Sequence, residues 1–343
     1  MKRKLFALLV SVLLIGAMVA GCGSKDKNST NTKDTSSDAS SDSSSGGELI
    51  TIGFSQVGAE SDWRVANTES MKSALSEENG FKLIFADAQQ KQENQTKAVR
   101  DFISQEVDII VIAPVTETGW ETVLGEAKDA GIPVIIVDRM IDVSDDTLYS
   151  CWVGSDFKQE GVDAANWLVE YMDKQGKGDA EHNVVVLQGT IGSSAEIGRT
   201  EGFDEAIAAY ANYKILEKQT GEFTQAKGQE VMEAFLKKYD NIDVVIAQND
   251  NMAFGAIDAL KAAGKTPGKD VTIVSFDAVK AAFESMIAGD MNVSVECNPL
   301  HGPRVAELAN KLMAGETVEK IQYVEEGVYP AETAEKELPN RQY

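Results

Sequence analysis

Cysteine and histidine are scarce in this chain, three and two among 343 residues, and that scarcity excludes several kinds of protein. One cysteine, Cys22, falls in an N-terminal leader. The other two, Cys151 and Cys297, are far apart and read as free thiols, not as the staples of a disulfide-dependent scaffold. His182, in a polar stretch read as a loop, and His301, just ahead of Pro303, lack cysteines or carboxylates at the spacing of a zinc site. The glycine-rich stretch 189–194 has no lysine to make a phosphate-binding loop, and no Gly-x-Ser-x-Gly elbow occurs. The expectation is therefore a protein without metal or cofactor and not an enzyme. Paired carboxylates suited to glycoside hydrolysis stay open, because their separation is a spatial quantity.

Positive charge is also in short supply, with 32 Lys and Arg against 55 Asp and Glu. Removing Lys2, Arg3 and Lys4 with the leader leaves 29 against 55, a net of −26, so nucleic acid is not an expected partner. The acidic excess lies along stretches read as helical, such as 69–78 and 316–326, and reads as solvated surface. Long apolar runs are missing too. The longest, residues 5–20, falls short of the ~20 residues needed to cross a bilayer.

That run follows a basic start and ends in Val19, Ala20, Gly21 and Cys22, the layout of a secretory signal. It resembles the bacterial lipobox, which implies export, cleavage before Cys22 and lipidation of that thiol. Residues 23–47 are Ser, Thr, Asn, Asp, Lys and Gly with one alanine, too polar to fold. They read as a tether with an r.m.s. reach of about 25 to 30 Å. A signal and tether also occupy the position where a gene regulator of related fold would carry its DNA-binding module.

From residue 48 onward, short apolar runs alternate with stretches of helical period. The runs are 49–54, 81–86, 108–113, 133–137, 184–187, 213–216, 244–247 and 271–276; rich in Val and Ile, they read as strands buried on both faces. The helical stretches are 63–79, 94–105, 120–130, 195–210, 224–239 and 252–263. Strict alternation predicts an α/β, doubly wound architecture with parallel sheets. Two units of similar pattern, 108–138 and 243–277, suggest two similar domains, and 296 residues from 48 to the end are comfortable for two cores.

The apolar runs end at polar side chains: Gln56, Asp87, Pro114 then Asp138 and Arg139, Gln188, Asn249 and Asp250, Asp277. Ligands of open parallel sheets sit beyond the carboxyl ends of the strands, so two facing domains would converge these groups on one cleft. Carboxylates, amides and guanidinium groups there suit a polyhydroxyl ligand, and Trp63 and Phe223, which follow the same strand ends, are of a type that could stack on the apolar face of a sugar ring. Taken alone, Asp138 and Arg139 read equally as a strand-end ion pair, and Trp63 and Phe223 as core aromatics. Asn249 and Asp250 both suit a helix cap; Asp250 is expected to cap and Asn249 to bind. Met71, Met232, Met252 and Met286 read as packing residues.

Segments 52–64, 88–95, 112–120, 137–139, 187–189, 221–224, 248–250 and 275–277, in this order and spacing, resemble the sugar-binding proteins of ABC importers with the type I periplasmic-binding fold. Within that group the galactofuranose-binding subfamily is the most similar, on Glu60, Trp63, Arg64, the 88–95 run and Thr118, Gly119 and Trp120. The resemblance implies that Asp138, Arg139, Arg199, Phe223, Asn249 and Asp277 bind the sugar and that Glu60, Trp63 and Arg64 complete the wall. It places Arg199 at the start of the second domain's first helix. Cys297 departs from the polar hinge residue of relatives, and Trp152 has no counterpart. The implied layout is a signal at 1–21, lipidated Cys22 and tether at 22–47, one α/β domain from 48–155 plus 298–325, and another from 156–297 plus 326–343, joined by a three-crossover hinge. The implied function is capture of a monosaccharide, galactofuranose or a related pentose or hexose, by a monomer on the extracytoplasmic face of the membrane for delivery to an ABC permease. The competing expectation is a receptor for a sugar or furanose-like signal that feeds a two-component kinase or chemoreceptor.

Overall fold

A computed structural model describes residues 48–343; the signal, Cys22 and the tether lie outside the described residues. The first sheet comprises β1 (Ile50–Gln56), β2 (Phe81–Asp87), β3 (Ile109–Ile112), β4 (Val134–Val137), β5 (Cys151–Gly154) and, from far along the chain, β11 (Ile321–Tyr323). The second comprises β6 (His182–Gln188), β7 (Tyr213–Thr220), β8 (Val244–Ala247), β9 (Thr272–Asp277), β10 (Val293–Glu296) and β12 (Val328–Pro330). Their strand orders, β11-β5-β4-β3-β1-β2 and β12-β10-β9-β8-β6-β7, are the same doubly wound pattern built twice. All pairs are parallel except β10 with β12. Sheet membership requires the chain to change lobes three times: after β5, after β10, and between β11 and β12.

The Val- and Ile-rich central strands are buried on both faces because helices cover both. In the first lobe α1 (Asp62–Ala74) and α9 (Gly302–Met313) cover one face, and α2 (Gln92–Ser104) and α3 (Glu121–Asp129) the other. In the second, α4 (Phe157–Lys174) and α5 (Ser194–Ile207) lie opposite α6 (Gln225–Lys238), α7 (Asp250–Ala262) and α8 (Lys280–Ile287), with α10 (Ala331–Glu337) beside α8. All four methionines read as packing residues are buried. Among the described residues no helix is long and apolar enough to cross a membrane.

Several sequence expectations need correction. Strands β5, β10, β11 and β12 and helices α4, α8, α9 and α10 were not among the expected elements; the four strands break their apolar character with Gly, Ser, Glu, Gln or Pro, whereas equally short β3, β4 and β8 are unbroken Val, Ile and Ala. His182 is no loop residue: it opens β6, buried against Tyr213, with Nε2 3.0 Å from the Lys177 carbonyl. Residues 316–326 are not helical but a loop, β11 and a further irregular segment, and Glu326 is only partly exposed.

Candidate ligand-binding site

Each functional side chain is placed by a strand end and the helix cap that follows it. Beyond β1, Ser61 caps α1 by accepting a bond from the Arg64 N–H, which sets Trp63 and Arg64 on the first turn and Glu60 in the loop just ahead of the cap. Beyond β4 come Asp138 and Arg139. In the second lobe Ser193 caps α5, which carries Arg199; Phe223 follows β7 just ahead of the Thr224 cap of α6; Asn249 follows β8; Asp277 ends β9. Asp138, Phe223 and Asp277 have φ of 62°, 61° and 102°, a left-handed backbone that non-glycine residues adopt at a cost and that concentrates at functional positions.

All nine residues line one cavity between the lobes, together with Ser61, Phe157, Ala195 and Cys297. The closed lobes leave it only about 20 Å³ of free volume, room for about one water, so a ring-sized ligand would hold the lobes further apart than they stand here. The lobes meet across both lips. The Asp62 N–H donates to Asn251 Oδ1 at 3.0 Å, the Met140 N–H to Ser194 Oγ at 2.8 Å, and the Glu117 N–H to the Gly192 carbonyl at 2.9 Å.

Charge is arranged in two buried groups. In the first lobe Arg64 lies 3.0 Å from Glu60 and 2.7 Å from Asp138. Burial raises the Asp138 pKa, but Arg64 and Arg139 outweigh it and hold the carboxyl below its ordinary range. Burial and then the Arg64 charge lower Arg139 to about 10, so it stays protonated at neutral pH. In the second lobe Arg199 donates to Glu160 at 2.6 Å and the Gln248 carbonyl at 2.6 Å, and lies 3.4 Å from Asp277. Burial pushes Asp277 well above the usual carboxylate range against the pull of Arg199.

The unspent hydrogen-bonding capacity shows what this arrangement can do. Arg139 donates to the Val115 carbonyl at 3.1 Å, while its approaches to Glu60 and Asp138, 3.8 and 3.9 Å, exceed hydrogen-bond length. Its remaining donors lie at the cavity wall, above the Phe223 ring at 5.1 Å. Glu60 Oε2 is buried with no hydrogen-bond partner among the described residues. A cavity that pairs an unspent guanidinium fork with unspent carboxylate oxygens fits a ligand whose hydroxyl groups both donate and accept.

Four details differ from the sequence reading. Asn249, not Asp250, caps α7: its Oδ1 accepts from the Met252 N–H at 2.9 Å and its Nδ2 donates to the Phe223 carbonyl at 3.0 Å. Asp250 instead accepts from Ser275, Ser294 and the Val279 N–H, tying the ends of β9 and β10 together below the site. Arg199 sits in the middle of α5, the second helix of its lobe. Trp63 does more than line the wall: its indole N–H donates to the Cys297 carbonyl at 2.6 Å and its ring packs among second-lobe apolar residues. Sequence reasoning also missed three contributors. Phe157 belongs to an unrecognised helix, Ser61 was readable as a cap, and Trp152 supports the site from behind by donating to the Asp138 carbonyl at 3.0 Å.

Comparison with known proteins agrees with this geometry. A family model described as a periplasmic binding protein domain matches residues 52–317. The galactofuranose-binding protein of Escherichia coli is 48% identical over 296 residues, 85% of this chain and 91% of the relative. A Mycobacterium smegmatis protein crystallised in complex with β-D-fucofuranose superposes with a TM-score of 0.83 at 48% identity, covering 86% of this chain and 96% of that one. The binding component of the arabinose ABC transporter of Shewanella sp. ANA-3, bound to α- and β-L-arabinofuranose, gives 0.80 at 48% identity over 85% and 95% of the two chains. With two doubly wound lobes, three crossings and a lined cavity between them, the chain belongs to the periplasmic binding protein family, with the type I fold.

Proposed function

We propose that the chain is a lipid-anchored, extracytoplasmic solute-binding protein that encloses a furanose sugar between its lobes and delivers it to an ABC permease. The observation that carries this reading is the convergence of Arg139, with donors to spare, and Glu60, with a free buried oxygen, on the one cavity that all nine residues line between the lobes. Relatives that bind galactofuranose, fucofuranose and arabinofuranose support it. Glu60, Trp63, Arg64, Asp138, Arg139, Arg199, Phe223, Asn249 and Asp277 form the proposed contact set. We place the lobe boundaries at 48–155 with 298–325 and at 156–297 with 326–343, at the three crossings. Closure is then a population shift: a sugar that touches both lobes favours the closed form by its differential affinity.

Thermal unfolding with L-arabinose, D-galactose, D-fucose and D-ribose tests the sugar reading. A true ligand at 100 times its Kd adds about 2.7 kcal/mol of stability, and a flat response to all four would defeat the proposal. The anchor is tested separately, by fractionation of Cys22→Ser. That variant should move to the soluble fraction with unchanged sugar affinity; retention on membranes after a salt wash would refute lipidation at Cys22.

A further inference from the structure

Behind the cavity wall, at the crossings between lobes, lies a group of side chains that sugar contact does not explain. Glu160 on α4, Cys297 just after β10 and Glu326 in the crossing segment between β11 and β12 place side-chain O and S atoms within 4.8 Å of one another. They come from all three crossing regions. Glu326 Oε1 accepts from Ser155 Oγ at 2.6 Å and from the Asn298 N–H at 2.7 Å, and Ser155 Oγ lies 3.3 Å from Cys297 Sγ. Glu160 gives Oε2 to Arg199, but its Oε1 is buried with no hydrogen-bond partner among the described residues. Among the described residues Arg199 is the one cation paired with Glu160, and it is shared with Asp277. Asp138 approaches from the first lobe; on the outer side lie exposed Asp156, half-buried Asp163 and Glu296, which has its own cation in Arg341 at 2.8 Å. Buried carboxylates thus outnumber the positive charge that reaches them. A bare carboxylate oxygen in such a place is strongly disfavoured unless it gains a proton or a donor.

We propose that this cluster holds a proton in the closed form, so that sugar-driven closure takes up a proton at the hinge and sugar affinity falls as pH rises. The proton comes from solvent. Glu326 also lines a groove on the outer side of the hinge, with Asp156, Gln159 and Gly327, so exchange does not require the cleft to open. Proton storage responds to closure because the cluster joins the three crossing segments about which the lobes rotate. Parting them admits water and returns the carboxyls toward their ordinary range.

The direction agrees with the electrostatics. Burial raises Glu326 to about 9, with the Glu160 charge adding to it, and burial raises Glu160 to about 7 against Arg199. A group whose pKa is higher in the closed form favours closure fully at low pH. That contribution is lost as pH rises from the ordinary carboxyl range through the closed-form values. Cys297 stays a thiol, pushed up by burial.

The proposal rests on the sugar reading, and the test separates the two. L-Arabinose, which equilibrates with its furanose forms in water, is titrated calorimetrically at pH 7 in two buffers of different ionisation heat, and its Kd is measured from pH 6 to 9. Wild type should take up a substantial fraction of a proton per sugar and bind on the order of tenfold more weakly at pH 9 than at pH 6. Glu326→Gln keeps the shape and the acceptor for Ser155 and Asn298 without the charge. It should lose most of the uptake and hold its Kd within about twofold across the range. Binding without proton uptake, or an equal pH slope in Glu326→Gln, would overturn the proposal while leaving the sugar reading intact. Uptake by wild type alone still tests it if the variant does not fold. A pH dependence abolished by EDTA would also overturn it, since a cation would then fill the cluster. No binding at any pH by L-arabinose, D-galactose, D-fucose or D-ribose would defeat the sugar reading and this proposal together.

Discussion

Arg139 shows how a single side chain becomes a binding group. Arg64 takes the short contacts with Glu60 and Asp138, which leaves the Arg139 fork only partly occupied. Truncating a buried charged donor typically costs ~2 to 5 kcal/mol, much of it from the partners left behind. Arg139→Ala should therefore weaken sugar binding at least about tenfold by calorimetry. Arg139→Lys should recover only part of the loss, since an ammonium lacks the planar two-pronged geometry. Binding by Arg139→Ala within a factor of two of wild type would remove the mapped site and leave the fold. At this scale the strand-end residues were readable because parallel sheets present their carboxyl ends to ligands. That Asn249 both caps α7 and lines the cavity was not, because Asn249 and Asp250 both make good caps and only the position of the helix start distinguishes them.

Helix α4 was missed altogether, although it carries Glu160, the short-range partner of Arg199. It packs against α5 through glycines: a Cβ on Gly202 would strike the Lys158 carbonyl, and one on Gly161 would meet the Arg199 carbonyl. That close approach brings Glu160 on one helix to Arg199 on the other at 2.6 Å. Overpacking such a contact typically costs ~1 to 3 kcal/mol. Gly202→Ala should lower Tm by several degrees and also weaken sugar binding, because separating the helices withdraws Glu160 from Arg199. A Tm within about one degree of wild type would show that the helices can part freely. The short strands β5, β10, β11 and β12 escaped notice for a different reason: Gly, Ser, Glu, Gln or Pro interrupts each of them, so none forms an apolar run like those of β3, β4 and β8.

Closure is a property of the whole molecule, held by lip contacts that no sugar needs to touch. Asn251 accepts from the Asp62 N–H and reaches the Asp62 carboxylate at 3.4 Å. Asn251→Asp would set two carboxylates against each other across the cleft, only in the closed form. Sugar affinity should drop roughly three- to tenfold by this like-charge penalty, more so at low salt. Asp62→Asn in the same chain should restore most of it. Equal affinity in wild type and Asn251→Asp would mean that this lip does not contribute to closure.

The amino-acid sequence by itself determined the alternation of strand and helix, the doubly wound class, the duplication and the chemical kinds of group at the strand ends. Each of these is a local pattern of apolar runs, caps and polar stops. It could not place Trp63 among second-lobe residues or reveal that Trp152 supports Asp138. Nor could it show that Glu326, at the end of an acidic stretch that reads as solvent-facing, turns inward to join Glu160 and Cys297. Those contacts join residues far apart in the chain, and only the packing of two lobes about three crossings brings them together.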